Sequence, residues 1–150
     1  MSINEYWNKF LSDTNRKPDD AVFSGELTFS GEGIFSSQRL LLTLLGKRTA
    51  SFSAFDSYAI NREPLPVSGE FYILEDSEEN PRGIIELESV SVLPFDDVSW
   101  EMAKREGEDA SLEEWREKTR SVLEDEGAVC GFVVNGGTKV VCEFFRLVYR

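Results

Sequence analysis

The chain has 150 residues, 41% of them hydrophobic and 12% aromatic, which is enough apolar material for one core and predicts a single domain. Its 16 basic residues against 28 acidic ones give a formal net charge of -12, which opposes broad electrostatic capture of duplex nucleic acid. Histidine is absent, so His-based triads, His general bases and the usual His-containing zinc sites are excluded, and chemistry must rest on Lys, Arg, Ser, Thr, Tyr and carboxylates.

The first residues, Met1-Ser2-Ile3-Asn4-Glu5, lack the basic start and apolar stretch of a secretory signal, and no apolar run approaches the ~20 residues that cross a bilayer. The expectation is a cytoplasmic protein that does not engage a membrane. Ser2-x-x-Glu5 resembles a capping box, after which Ile3, Tyr6, Trp7, Phe10 and Leu11 share one helical face. Val22 to Phe29 reads as a strand and Ser30-Gly31-Glu32-Gly33 as a loop. A second helix runs from about Ser36 to Leu45 and is ended by Gly46 in the left-handed conformation. The strand that follows, Thr49 to Phe55, alternates Thr49, Ser51 and Ser53 with Ala50, Phe52 and Ala54.

The prolines of Asn61-Arg62-Glu63-Pro64-Leu65-Pro66 forbid regular structure. Phe71 to Leu74 is then a strand, Glu78 to Gly83 a turn, and Ile84 to Leu93 a long alternating strand. Two short helices come next, one from near Asp97 and Ser99 to Gly107, the other opened by Ser111-x-x-Glu114 and carrying Leu112, Trp115, Val122 and Leu123. Asn135-Gly136-Gly137 predicts a closing hairpin of Ala128 to Val134 with Thr138 to Tyr149, which would set Cys130 opposite Cys142 as two reduced, partly buried thiols. The order of elements gives an α+β domain with a mostly antiparallel, barrel-like sheet and flanking helices.

Chemistry concentrates where a basic pair and then hydroxyls leave the second helix, in Lys47-Arg48-Thr49 and Ser51. Basic residues at a helix end also suit its dipole, and Thr and Ser suit a solvated strand face, so the segment alone does not establish a ligand. Tyr58, between the polar strand and the Pro-rich loop, is placed to close over a planar ligand. Glu143 sits among Val141, Phe145, Leu147 and Tyr149 and needs a cation or several donors, with Arg48 the candidate partner. Trp7, Trp100 and Trp115 fall at helical spacing and read as core. Gly46-Lys47 is no phosphate loop, because Leu41 and Arg48 stand where the first glycine and the hydroxyl residue would be. The acidic runs lack calcium-loop spacing, and neither a metal nor a cofactor is expected.

Several segments, in order, resemble the ASCH family. They are Gly46-Lys47-Arg48-Thr49-Ala50-Ser51, Tyr58 with Glu63-Pro64-Leu65-Pro66 and Gly69, and Val92-Leu93-Pro94-Phe95 with Asp97-Val98. Glu106-Gly107-Glu108 with Ser111-Leu112 and Trp115-Arg116, and the ending Val140 to Val148, complete the match from about Phe29 to Tyr149. The resemblance implies a PUA-like small β-barrel over residues 1–150, with residues 1–28 as a helix and strand packed on it. It also implies a cleft lined by the Gly-Lys-x-Thr region that binds RNA, a nucleoside or a nucleotide, with no duplex DNA expected as partner.

Small members of that family look like amidohydrolases acting on 4-acetylcytidine through a Lys, a Thr and a Glu, and a relative acts as a ribonuclease. Carried across, the Lys falls on Arg48, the Thr on Ser51 and the Glu on Glu106. Arg48 departs from the pattern, since a guanidinium stays protonated and cannot serve as base. The favoured expectation is a binding module in which Lys47, Arg48, Thr49, Ser51, Tyr58 and Glu106 line one cleft. The enzyme alternative takes Ser51 as nucleophile, Glu106 as acid/base and Arg48 as oxyanion stabiliser. A protein-interaction domain is the third reading.

Overall fold

The computed structural model describes residues 1–27 and 34–150. The expected loop Ser30 to Gly33 and the end of the first strand lie outside the described residues. The elements are α1 (Ile3–Asp13), β1 (Val22–Leu27), α2 (Ile34–Leu44), β2 (Ala50–Ala54), α3 (Phe55–Ile60), β3 (Glu70–Glu75), β4 (Pro81–Pro94), α4 (Trp100–Ala103), α5 (Leu112–Cys130) and β5 (Lys139–Tyr149). Single helical turns cover Pro18–Asp20, Phe95–Asp97 and Lys104–Glu106. Hydrogen bonding orders the strands β1-β3-β4-β5-β2. Among the described residues this is a five-stranded sheet with β1 and β2 at its edges, and the expected closure into a barrel is not found there. Of the registered pairs, β2 with β5 and β3 with β4 are antiparallel, whereas β1 runs parallel to β3.

The chain divides into two compact units. The first comprises Met1–Thr49, Val67–Ser89 and Phe145–Arg150. There the Ser2 hydroxyl accepts from Glu5 N–H at 3.1 Å and starts α1. The helix then buries Phe10 and Leu11 with Ala21, Phe71, Ile73 and Ile84, and Ile3, Tyr6 and Trp7 pack against them as their spacing predicts. The Arg16 guanidinium lies 5.3 Å from the ring centres of both Phe10 and Phe71. Gly46 has φ 75°, as expected. Its N–H donates to Thr43 O at 3.0 Å and Lys47 N–H to Leu42 O at 2.8 Å, the paired bonds of a Schellman stop.

The second unit comprises Ala50–Pro66 and Val90–Phe144. Its core gathers Ala54, Phe95, Val98, Ala103, Trp115, Leu123 and Val140, with Phe52, Trp100 and Leu112 packed against it. α5 is the long element of this unit, opened as expected by Ser111, whose hydroxyl accepts from Glu114 N–H at 3.2 Å. It does not stop short. Ala128 to Cys130 complete the helix and Gly131, at φ 91°, ends it, so the predicted first strand of the closing hairpin is absent. Cys130 accordingly sits on a helix, while Cys142 on β5 pairs in register with Phe52. Both thiols are free.

The Asn135-Gly136-Gly137 turn is nonetheless real, with Gly137 N–H donating to Asn135 Oδ1 at 2.8 Å. It docks on the Phe95–Asp97 turn rather than joining two strands: Phe95 N–H donates to Thr138 O at 2.7 Å and Asp96 N–H to Gly136 O at 3.0 Å. No described helix is long and apolar enough to cross a membrane.

Near the end of α5, Gly127 has two opposed claims on it. Alanine there would gain roughly 1 kcal/mol of helix propensity. Its Cβ would, however, stand 2.5 Å from the carbonyl oxygen of Phe132, a backbone atom that cannot swing aside. Overpacking wins, and Gly127→Ala should destabilise the chain by about 1 to 3 kcal/mol in urea unfolding, where helix propensity alone predicts a gain.

Candidate functional site

The Schellman stop at Gly46 delivers Lys47 exposed, Arg48 buried and Thr49 half-buried at the edge of the first unit. Arg48 is 5% exposed, and its backbone N–H donates to Leu42 O at 3.1 Å. Thr49 O accepts from Phe145 N–H at 3.0 Å. Ser51, Tyr58 and Glu106 belong to the second unit.

Within that unit, the antiparallel register sets Ala50 opposite Phe144, Ser51 opposite Glu143, Phe52 opposite Cys142 and Ser53 opposite Val141. Since successive side chains alternate, Ser51, Ser53 and Glu143 share one face and Ala50, Phe52 and Ala54 the other. The chain turns directly from β2 into α3, a helix the sequence reading did not anticipate, and this turn swings Tyr58 back over the strand. Its hydroxyl lies 2.8 Å from Ser53 Oγ and donates to Glu143 Oε1 at 3.5 Å. Glu143 thus meets a hydroxyl donor. Burial pushes the Tyr58 phenol above its ordinary value, so the hydroxyl stays protonated at neutral pH.

Glu106 is held elsewhere in the unit. It closes the Lys104–Glu106 turn, which ends at Gly107 in the left-handed conformation with φ 77°. Its carboxylate accepts from the Trp115 indole N–H at 2.6 Å and has Lys118 Nζ at 3.6 Å. Trp115 is fully buried and meets Phe52 edge-on at 5.0 Å, on the β2 face away from Ser51. Lys118 also pairs with Glu108 at 2.9 Å and Asp109 at 2.6 Å. Hydrogen bonds therefore bring Ser53, Tyr58 and Glu143 together in one group, and a hydrogen bond and an ion pair bring Glu106, Trp115 and Lys118 together in another. Sequence reasoning missed Lys118. Its spacing of three from Trp115 on α5 and the acidic Glu106 to Asp109 loop were the available signals.

Two further groups limit the chemistry. Burial pushes the Cys142 thiol up to about 12, which removes it as a thiolate at neutral pH. Burial works to lower the Lys118 pKa, but Glu106, Asp109 and Glu108 outweigh it and hold the ammonium above its ordinary value.

That raised value has a pH signature. A group whose folded pKa lies above its unfolded one stabilises fully below the unfolded value and loses that contribution as pH climbs through the folded one. The stability difference between the natural chain and Lys118→Met should thus be constant to about pH 10 and shrink above the ordinary lysine value of 10.5, as read by urea unfolding at stepped pH. A difference that is flat through pH 12 would show that the three carboxylates do not hold the ammonium.

Comparisons with known proteins bear on the fold and the family. A solved ASCH domain from Lactobacillus crispatus is 25% identical, covers 98% of this chain and 94% of its own, and superposes with a TM-score of 0.89. A solved protein from Enterococcus faecalis, 24% identical over 98% of this chain and 88% of its own, gives a TM-score of 0.85. No match was found among the curated proteins. The ASCH domain model matches residues 34–149, which include the Gly46 to Ser51 segment, Tyr58 and Glu106, and the chain belongs to the ASCH domain family.

Proposed function

We propose that this chain binds single-stranded RNA, or a nucleoside or nucleotide, through Lys47, Arg48, Thr49 and Ser51, with Tyr58 and Glu106 as further contacts. Family membership carries this reading, since the match spans all of these residues. Each side chain has a role its chemistry suits. Arg48 offers a permanently charged donor fork for a phosphate or base edge, Tyr58 a ring for stacking, and Glu106 an acceptor for an amine.

Lys118 favours binding over hydrolysis. A deacylase of the Lys-Thr-Glu type needs an amine that can lose its proton to activate a hydroxyl, and Arg48 cannot. The lysine beside Glu106 is no substitute, because its three carboxylates keep it protonated. The hydrolytic reading, with Ser51 as nucleophile, Glu106 as acid/base and Arg48 stabilising the oxyanion, is left without a base amine.

Titration of labelled RNA tests the proposal. Affinity is expected for short single strands and weak binding for duplex, with Arg48→Ala losing about 1 to 3 kcal/mol. Equal, salt-sensitive affinity for duplex would sink the argument from the -12 charge. The same preparation should leave 4-acetylcytidine intact. Turnover that falls ~100-fold or more in Ser51→Ala or Glu106→Gln would replace the binding module with an enzyme.

A further inference from the structure

Where β2 passes into α3, and against α5, the second unit holds a cavity of about 150 Å³. Its polar lining is Ser53, Ser57, Tyr58, Asn61, Glu63 and Glu126, and Ala54 supplies an apolar wall. Neither Lys nor Arg lines it, so a phosphate or carboxylate would enter against two negative charges and no positive one. The lining is rich in acceptors instead. Ser57, only 6% exposed, spends its hydroxyl proton on Glu126 Oε1 at 2.6 Å, which leaves its lone pairs as what it can offer a guest. The single proton of the Tyr58 hydroxyl is likewise engaged between Ser53 and Glu143.

A guest must therefore bring donors and positive charge. Size narrows it further. A cleft of ~150 Å³ has room for a benzene-sized group. Calcium takes six to eight oxygens and draws on several carboxylates; two carboxylates in a space this large would leave most of a metal's shell to water. An ammonium head presents three donors to a lining whose acceptors include Glu126, Glu63 and the Asn61 and Ser53 oxygens, and Ala54 and the Tyr58 ring offer surface to a short alkyl stem.

We propose that this cavity is a binding site for the alkylammonium group of a small amine, with Glu126 and Glu63 as its counter-ions. The site needs neither Arg48 nor Glu106; it shares Tyr58 with the proposed RNA contacts, and a titration without RNA tests it separately from that reading.

The test is a titration of the full chain with propylammonium chloride, followed by proton-nitrogen correlation spectra at constant ionic strength. Propanol serves as the uncharged isostere and magnesium chloride as the metal arm. Saturable shifts confined to the 53–63 segment and the neighbourhood of Glu126 are expected with propylammonium and none with propanol. Glu126→Gln and Glu63→Gln should each weaken the binding at least tenfold, and the dispersion of the same spectra reports whether each variant is folded. Glu63 is exposed, so its variant keeps the test open should Glu126→Gln fail to fold. Shifts spread over the whole surface, magnesium saturating the same amides as tightly, or unchanged affinity in a folded variant would each overturn the proposal.

Discussion

The buried indole of Trp115 is the fixed point of the second unit. Its ring meets Phe52 of β2 at 5.0 Å and stacks on Phe95 at 5.6 Å, with 17° between the planes. An indole N–H buried this completely must find an acceptor, and a carboxylate as buried as Glu106 must find donors. Each answers the other's requirement. Lys118, one turn further along α5, adds the cation that lets Glu106, Glu108 and Asp109 crowd into one loop. Glu106 is thereby anchored to a fully buried ring of its unit, and its position follows from core packing.

What was legible in the sequence was mostly local. The Ser2 and Ser111 caps, the left-handed stop at Gly46 and the polar and apolar faces of β2 follow from short-range rules, and each is found where those rules put it. The failures share a cause. Asn135-Gly136-Gly137 has the composition of a hairpin turn, but whether a turn joins two strands depends on what it packs against. Here Gly136 lies so close to Asp96 that any Cβ would collide with its carboxylate, and the partner is the Phe95–Asp97 turn. α3 was hidden because six residues, Phe55–Ile60, are too few to show a helical period, and Phe55 reads as the end of the preceding strand. Closure into a barrel is a long-range pairing that no local pattern encodes, and β1 beside β3 in parallel is another.

For the candidate site the division is the same. The place of Arg48, Ser51 and Glu106 in the resemblance could be read from motif order. That Ser53 and Glu143 converge on the Tyr58 hydroxyl depends on α3, and that Glu106 turns to Trp115 depends on the packing of α5. The place of Glu143 in an apolar row pointed to a cation or several donors, with Arg48 as the candidate, and did not point to the Tyr58 hydroxyl that α3 supplies.

Burial and neighbouring charge set the character of Cys142, Tyr58 and Lys118 in the second unit. Nucleophilic chemistry at neutral pH wants a thiol or phenol shifted toward its anion, or an amine shifted toward its neutral form. Cys142 is pushed up to about 12 by desolvation, Tyr58 is raised by the same cause, and Lys118 is held cationic by its carboxylates. All three move away from nucleophilicity and toward fixed donors and charges. Fixed donors and charges suit recognition, in which the same hydrogen bonds must be offered to every ligand that arrives, and they add nothing to a step that requires a proton to leave.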